Sequence, residues 1–324
     1  MEDNFDVISR GQVDAASLKT AVERVQDVIS KRREILNRYA IEDVDGKLIF
    51  GVSEAKRNLK DRMERADIPM SDEQFPDVLF IRVEDRLALS QDLAPFAGGD
   101  YRKYEGASSV MNDAVVVFLS DNELKVDQAG KAFHEMYHYI GRQVIDISPH
   151  SIIYAREGLE ILNSTQEYKP WLLEEGFVTY ETASFVRELG NNDQFKSDMD
   201  FRYNYRNTDE EGKITFESGM KVEPEFCNVM TVSTPEITVG LFRMPEAGSL
   251  AGSLVKSLVE SMNFFERDDF INLIRQARFD TKLVKDVAQK VDAVWGRGTY
   301  AEILRCKRTD EAVWELIQKH GKQN

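Results

Sequence analysis

The chain has 324 residues, of which 42% are hydrophobic and 31% are charged, as in soluble globular proteins with a sizeable core. Its net charge of −15 at pH 7 argues against a nucleic-acid partner, and no apolar run is long enough to span a bilayer or to resemble a signal peptide. Two cysteines, Cys227 and Cys306, are too few for a disulfide framework, so the sequence predicts a cytoplasmic protein with reduced thiols and no membrane partner.

The first part of the chain is predicted to be helical. Residues 15–40 place apolar side chains at helical spacing between charged ones, which indicates a long packing helix. Asp45 and Gly46 mark a turn. After this turn, Ser53 is expected to cap a second helix that runs to Ala66.

Two of the following segments have the composition of strands. Residues 78–83 form a short run rich in β-formers, and residues 113–120 give the strongest strand signal in the chain. Residues 88–106, which lie between them, are expected to form a loop. The second strand is either a buried central strand or a strand whose free edge can pair with an extended peptide, and the sequence favours neither.

The most informative stretch follows this strand and contains an H-E-x-x-H pattern at residues 134–138. On a helix, His134 and His138 lie one turn apart on one face, so both imidazoles can bind a single metal ion. Glu135 directly follows the first histidine, which suits a carboxylate that accepts a proton from metal-bound water. Asp127 is expected to cap the helix. The alternative is an amphipathic helix whose histidines are only exposed or hydrogen-bonded.

The rest of the chain is predicted to be mainly helical. Residues 151–163 indicate a short helix and residues 171–189 a longer one. Residues 201–217 alternate on both sides of a turn, which suggests a hairpin. Residues 218–247 look irregular, and the helical pattern returns from Ser249 onward.

The H-E-x-x-H pattern and the later segment Trp-Leu-Leu-Glu-Glu-Gly-Phe at residues 171–177 together resemble the gluzincin zinc metallopeptidases, which include thermolysin-like and aminopeptidase-N-like enzymes. Those enzymes take two zinc ligands from the first pattern and a glutamate from a second helix, often in a Trp-Leu-x-Glu-Gly-aromatic context. This chain matches that context at Glu175, which lies off the apolar stripe of its helix. The resemblance covers roughly residues 110–190.

The resemblance implies one zinc ion per chain, bound by His134, His138 and Glu175, and no other cofactor-binding residue. It implies a peptide or protein substrate that is hydrolysed by zinc-activated water, with Glu135 as the general base. The alternative function is a binding or regulatory protein that retains the metallopeptidase fold but has lost turnover.

The fold expected from the resemblance is α+β. It has a zincin-like core, made of a small sheet and the active-site helices, and a largely helical C-terminal part. Three segments are predicted. Residues 1–45 form an N-terminal helical segment, residues 46–145 form an α/β subdomain that ends in the H-E-x-x-H helix, and residues 146–324 form a mainly helical subdomain that carries the third ligand.

Two features of the spacing depart from the family pattern. The gap of 36 residues between His138 and Glu175 is longer than in the best-known members, and their shorter spacing falls on Glu157. The richer motif around Glu175 favours that residue, because loop lengths vary between relatives. Gly141 extends the first pattern toward that of the metzincins, but those enzymes need a third histidine where this chain has Val144.

The remaining roles have only candidates. Gluzincins stabilise the oxyanion with a Tyr or His from the later part of the chain, and no motif marks that residue here. The candidates by chemistry alone are Tyr203, Tyr205, Arg206, Arg243 and, more weakly, His150. Glu174 and Glu181 could accept hydrogen bonds from the ligating imidazoles, although surface salt bridges are the plainer expectation for both.

Overall fold

The computed structural model describes residues 5–9, 15–96, 106–109, 112–141, 143–148, 151–162, 168–169, 171–203, 213–216, 220–227, 229–233, 238–242 and 247–320. These residues form a mixed α+β fold in which helices predominate. The helices are α1 (Ala15–Tyr39), α2 (Gly46–Arg65), α3 (Arg86–Leu93), α4 (Lys125–Ile140), α5 (Trp171–Leu189), α6 (Lys196–Tyr203), α7 (Ala247–Glu260), α8 (Phe264–Ala277), α9 (Val284–Trp295), α10 (Thr299–Arg305) and α11 (Asp310–His320). The strands are β1 (Phe5–Ser9), β2 (Val78–Arg82), β3 (Gly106–Ser109), β4 (Ala114–Leu119), β5 (Gln143–Ser148), β6 (Ser151–Glu157), β7 (Glu160–Leu162), β8 (Tyr168–Lys169), β9 (Ile214–Thr215), β10 (Lys221–Val222), β11 (Val229–Ser233) and β12 (Thr238–Phe242).

The strand with the strongest sequence signal, β4, is the central strand of a three-stranded sheet. It pairs in parallel with β2 and antiparallel with β3. Val115 and Val117 face the main core, whereas Val116 and Phe118 face a second cluster that includes Leu36 of α1. Because both edges of β4 are hydrogen-bonded, the hypothesis that its free edge binds a peptide is wrong. A strand buried on both faces explains the unbroken run of apolar residues.

The N-terminal helices differ from the prediction in their ends. The long first helix is confirmed as α1. Helix α2 begins at Gly46 rather than after Ser53, because the Asp45 carboxylate accepts a hydrogen bond of 2.8 Å from the Lys47 backbone N–H. This cap satisfies one of the free N–H groups of the first turn. The Ser53 hydroxyl instead donates to the Ile49 carbonyl inside the helix.

The segment after β2 is not simply a loop. It contains α3, whose Leu89 and Leu93 are fully buried in the second cluster. This helix carries no strong periodic signal, since it is only 8 residues long. A helix of this length is not stable alone, and its burial against α1 and β2 stabilises it.

Helix α4 is capped by a neighbouring helix. The Asp198 carboxylate of α6 accepts a hydrogen bond of 3.0 Å from the Val126 backbone N–H. Asp127, which was expected to provide the cap, instead accepts from the Val229 backbone N–H at 3.4 Å. The sequence could not predict this exchange because residues distant in sequence supply both partners.

The region after α4 contains a five-stranded sheet in the order β1-β5-β6-β7-β8. The helix predicted for residues 151–163 is therefore wrong, and β6 and β7 form a tight hairpin in its place. Gly158 has a φ of +54° at the turn, a backbone conformation that glycine adopts without strain. The β-branched pair Ile152–Ile153 favours the extended chain.

The later part of the chain is confirmed as helical from α7 onward, but the preceding segment differs from the prediction. The predicted first arm of the 201–217 hairpin is wrong, since α6 continues to Tyr203. Its second arm contains β9, which pairs with β10. Residues 218–247 are not irregular throughout, because β11 and β12 form an antiparallel pair there.

The larger of the two hydrophobic clusters contains buried residues from Val25 to Leu316 and joins most of the described helices. Helix α5 lies at its centre, between α4 and α7. At Gly176 the two helices α5 and α7 approach so closely that a Cβ atom would lie 2.5 Å from the Ala251 carbonyl oxygen. Among the described helices, none is long and apolar enough to span a membrane. Cys227 and Cys306 are not joined by a disulfide bond.

Candidate metal centre

The two motif helices, α4 and α5, pack against each other along their apolar faces. On α4 the buried face includes Phe133 and Tyr137. The Phe133 ring stacks on Phe185 of α5 with centroids 4.4 Å apart and an interplanar angle of 7°. This contact fixes the two helices side by side, so that residues at the start of α5 lie beside the C-terminal half of α4.

Three side chains converge at this crossing. The Nε2 atoms of His134 and His138 are 3.2 Å apart, and the two carboxylate oxygens of Glu175 lie 3.3 Å from Nε2 of His134 and 3.4 Å from Nε2 of His138. One ligand atom from each of the three residues falls within 4.8 Å of the others. The predicted ligands are thus brought together by the fold.

The spacing of these donor atoms is compatible with a single bound metal ion. Bonds of about 2.1 Å in a tetrahedron place neighbouring donors about 3.4 Å apart, and the two imidazole nitrogens lie 3.2 Å apart. The two oxygens of Glu175 each face a different imidazole, at 3.3 Å and 3.4 Å, and one atom from each of the three residues lies within 4.8 Å of the others. Two imidazoles and a carboxylate form a donor set typical of catalytic zinc sites. Partial exposure of His134 (20%) and Glu175 (31%) leaves this group of donors open to solvent.

His138 is held from behind by Glu174. Its Nδ1 atom lies 3.3 Å from Oε1 of Glu174, whose side chain is completely buried. A carboxylate on this side of the ring favours the tautomer with a proton on Nδ1, which leaves Nε2 to bind a metal. The prediction that Glu174 supports a histidine therefore has a geometric basis in the structure.

Glu174 is kept ionised by its surroundings. Burial alone would raise its pKa, but the Arg278 guanidinium and the His138 imidazole lower the pKa to about 2. The Leu159 backbone N–H also donates to Glu174 at 2.9 Å. Gly158 packs so tightly on this carboxylate that a Cβ atom would lie 2.5 Å from Oε1.

His134 is oriented by a hydroxyl group rather than a carboxylate. Its Nδ1 atom lies 3.5 Å from the Thr182 hydroxyl oxygen. That hydroxyl donates its proton to the Val178 carbonyl at 2.8 Å, so its oxygen can accept a hydrogen bond from the imidazole. Both histidines thus have a partner at Nδ1 and direct Nε2 into the cluster.

Glu175 carries the negative charge of the cluster. Burial alone would raise its pKa, but the imidazoles of His134 and His138 hold it well below its usual range. The carboxylate lies beside the first turn of α7, where a Cβ atom on Gly248 would come within 2.9 Å of Oε1. A residue larger than glycine at position 248 would therefore crowd Glu175.

The other residues considered from the sequence have different positions. Glu135 is half-buried on α4 and does not belong to the described donor cluster. Glu157 ends β6, and its side chain lies outside the described residues. Within the described residues Glu181 has no polar contact with either histidine. It forms ion pairs with Arg62 at 2.7 Å and Arg275 at 2.9 Å, and these pairs are buried rather than at the surface as expected.

The oxyanion candidates fall outside what the structure describes. His150, Tyr205, Arg206 and Arg243 lie in undescribed segments, as does the side chain of Tyr203 at the end of α6. Val144 is part of strand β5.

Two residues that support the cluster, Thr182 and Arg278, were not predicted from the sequence. Thr182 lies on α5 two turns after Glu175, and helical periodicity could have placed it on the same face. Arg278 lies 104 residues after Glu174, and no local signal connects them. Comparison with known proteins adds no further assignment, because no protein-family model, no curated protein and no solved structure matches this chain.

Proposed function

We propose that this chain is a zinc-dependent metallopeptidase with a zincin-like core. The observation that carries the proposal is the convergence of His134, His138 and Glu175, whose donor atoms lie within 4.8 Å of one another. Three protein ligands of these types leave a fourth position open, which is the arrangement of catalytic rather than structural zinc sites.

The chemistry follows from the positions of the chain's own residues. Bound zinc supplies Lewis-acid polarisation of a carbonyl group and lowers the pKa of water. The Glu135 carboxylate follows His134 on α4 and accepts the proton that the attacking water releases. The same carboxylate then donates this proton to the leaving amine. Glu135 is not one of the three clustered donors, which suits a base that does not bind the metal.

An edge strand beside α4 supports a peptide as the substrate. Strand β3 is an edge strand of its sheet among the described strands, and it lies next to α4. An edge strand offers unpaired backbone groups to which an extended peptide can add. We place the enzyme in the cytoplasm, a proposal supported by two cysteines that are not joined by a disulfide bond.

The protein is expected to bind about one zinc ion per chain. Elemental analysis of protein purified without chelator and then equilibrated with zinc measures this ratio, and a library of unstructured peptides tests for hydrolysis. A zinc content near zero would contradict the proposal. Stoichiometric zinc without cleavage of any peptide would favour the alternative, a metallopeptidase-like binding or regulatory protein.

Zinc binding is expected to release a proton from His138 near neutral pH. Burial alone would lower its pKa, but the carboxylates of Glu174 and Glu175 raise it well above its usual value in the metal-free protein. A protonated imidazole cannot bind zinc, so the apparent affinity should fall by up to about tenfold for each pH unit below this pKa. Calorimetry at pH 7 in buffers of different ionisation enthalpy counts the protons released. A count of zero would show that His138 is already neutral.

A further inference from the structure

Arg278 is a completely buried arginine that lies at the end of α8, far from the motif residues in sequence. Burial of a guanidinium is costly unless its charge and its N–H groups are satisfied. Its partners therefore indicate why the fold retains it. They are found on the two helices that carry the candidate ligands.

The side chain of Arg278 contacts the residue that precedes a candidate ligand on each of these helices. On α5 it donates to Glu174 through Nε at 3.0 Å and Nη2 at 2.8 Å. On α4 its Nη2 group donates to the Tyr137 carbonyl at 2.7 Å, and the guanidinium lies 4.4 Å from the centre of the Tyr137 ring. Tyr137 precedes His138, and Glu174 precedes Glu175.

The contact with Tyr137 has a specific physical role at the helix end. The last four carbonyl groups of an α-helix have no partner within the helix, and Tyr137 belongs to the final turn of α4, which ends at Ile140. A cation at this end also interacts favourably with the helix dipole. Arg278 thus fixes the turn of α4 that carries His138.

We propose that Arg278 is a positioning residue of the metal centre, which holds His138 and Glu175 in register by joining Glu174 to the Tyr137 carbonyl. The inference rests on the proposed function, since it assigns a role relative to the same zinc site. Arg278 acts through Glu174, whose carboxylate lies 3.3 Å from Nδ1 of His138. A carboxylate of this kind orients a ligating imidazole.

A second buried ion pair, which joins α8 to α5, provides a matched control. Arg275 of α8 donates to Glu181 of α5 through Nη2 at 2.9 Å and 3.1 Å, and both side chains are nearly inaccessible. Glu181 contacts neither candidate histidine within the described structure. The two pairs share burial and chemistry, and Arg275 also interacts with the Tyr137 side chain. They differ in that Arg278 reaches Glu174 and the Tyr137 carbonyl.

The test compares zinc dissociation constants, measured by competition with a chromophoric chelator, for wild type and four variants. Arg278→Lys keeps the charge but loses the planar group that spans two acceptors, and Glu174→Gln keeps the shape but loses the charge. Each is expected to raise the zinc Kd by about 10- to 100-fold. Arg275→Lys and Glu181→Gln are expected to change the zinc Kd by less than about threefold, even if they lower the melting temperature as much as the other two variants do.

The outcomes separate this inference from the function on which it rests. If wild type binds no zinc, the proposed function is overturned and this inference with it. If wild type binds zinc but Arg278→Lys and Glu174→Gln affect Kd no more than the control pair, only the positioning role is overturned. Should one of the two variants fail to fold, the other decides, because each breaks the same connection. A changed visible spectrum of the cobalt-loaded variants, unlike that of the controls, would also support the role.

Discussion

Replacement of Glu135 by glutamine is expected to leave zinc bound and to lower peptide hydrolysis by about 10²- to 10⁴-fold, the usual contribution of general acid–base catalysis. Glu135 lies on α4 next to His134 but is not one of the three clustered donors. Glutamine has almost the same shape and cannot accept the proton from water. The variant should therefore retain the zinc content of wild type while it loses turnover.

The control for this prediction is Glu123→Gln. Glu123 lies just before α4 and pairs with Lys131 at 2.6 Å, so its replacement removes a carboxylate near the same helix without touching the cluster. Its turnover should stay within a few-fold of wild type. If Glu135→Gln cleaves peptides as fast as wild type, another group accepts the proton and the proposed mechanism is wrong. Loss of zinc from Glu135→Gln would instead indicate that this residue supports the metal site.

The convergence of the three candidate ligands was predictable from two local motifs and from the family resemblance that they carry. The spacing of His134 and His138 fixes their common face once α4 is a helix, and the apolar stripes of α4 and α5 bring the two helices together. Glu175 lies off the stripe of its own helix, so the same packing that buries Phe177 turns Glu175 toward the histidines. Periodicity alone does not relate segments 36 residues apart, and it was the resemblance carried by the two motifs that joined Glu175 to the histidines.

The supporting contacts could not be predicted, because they depend on packing between distant segments. Arg278 reaches Glu174 across 104 residues, and a buried arginine in a helical segment has the same local pattern as an exposed one. The helix predicted for residues 151–163 is wrong because the structure there also depends on pairing with another segment. Short apolar runs have no clear period, and pairing with β5 decides the structure of β6.

Replacement of Glu175 by alanine is expected to weaken zinc binding strongly and to abolish hydrolysis. Loss of a residue that only hydrogen-bonds a metal ligand costs about 10- to 100-fold in affinity, and loss of a ligand itself should cost more. The carboxylate lies 3.3 Å and 3.4 Å from the two imidazole Nε2 atoms. Its removal leaves two neutral ligands and no negative charge to offset that of Zn²⁺. Glu188→Ala is a suitable control, since Glu188 lies on the same helix and pairs with Arg62 away from the cluster.

Glu157 is the competing candidate for the third zinc ligand, and its alanine variant distinguishes the two assignments. Glu157 ends strand β6, where it is paired with Gln143 and Glu160, whereas Glu175 belongs to a helix packed on both sides by α4 and α7. A ligand on a packed helix has little conformational entropy left to lose when it binds a metal. Zinc titration and a peptide assay on Glu157→Ala and Glu175→Ala, side by side, should show loss only in the second. If Glu157→Ala loses zinc while Glu175→Ala retains it, the third ligand comes from the β6–β7 hairpin, and the charge of Glu175 serves only to pair with the two histidines.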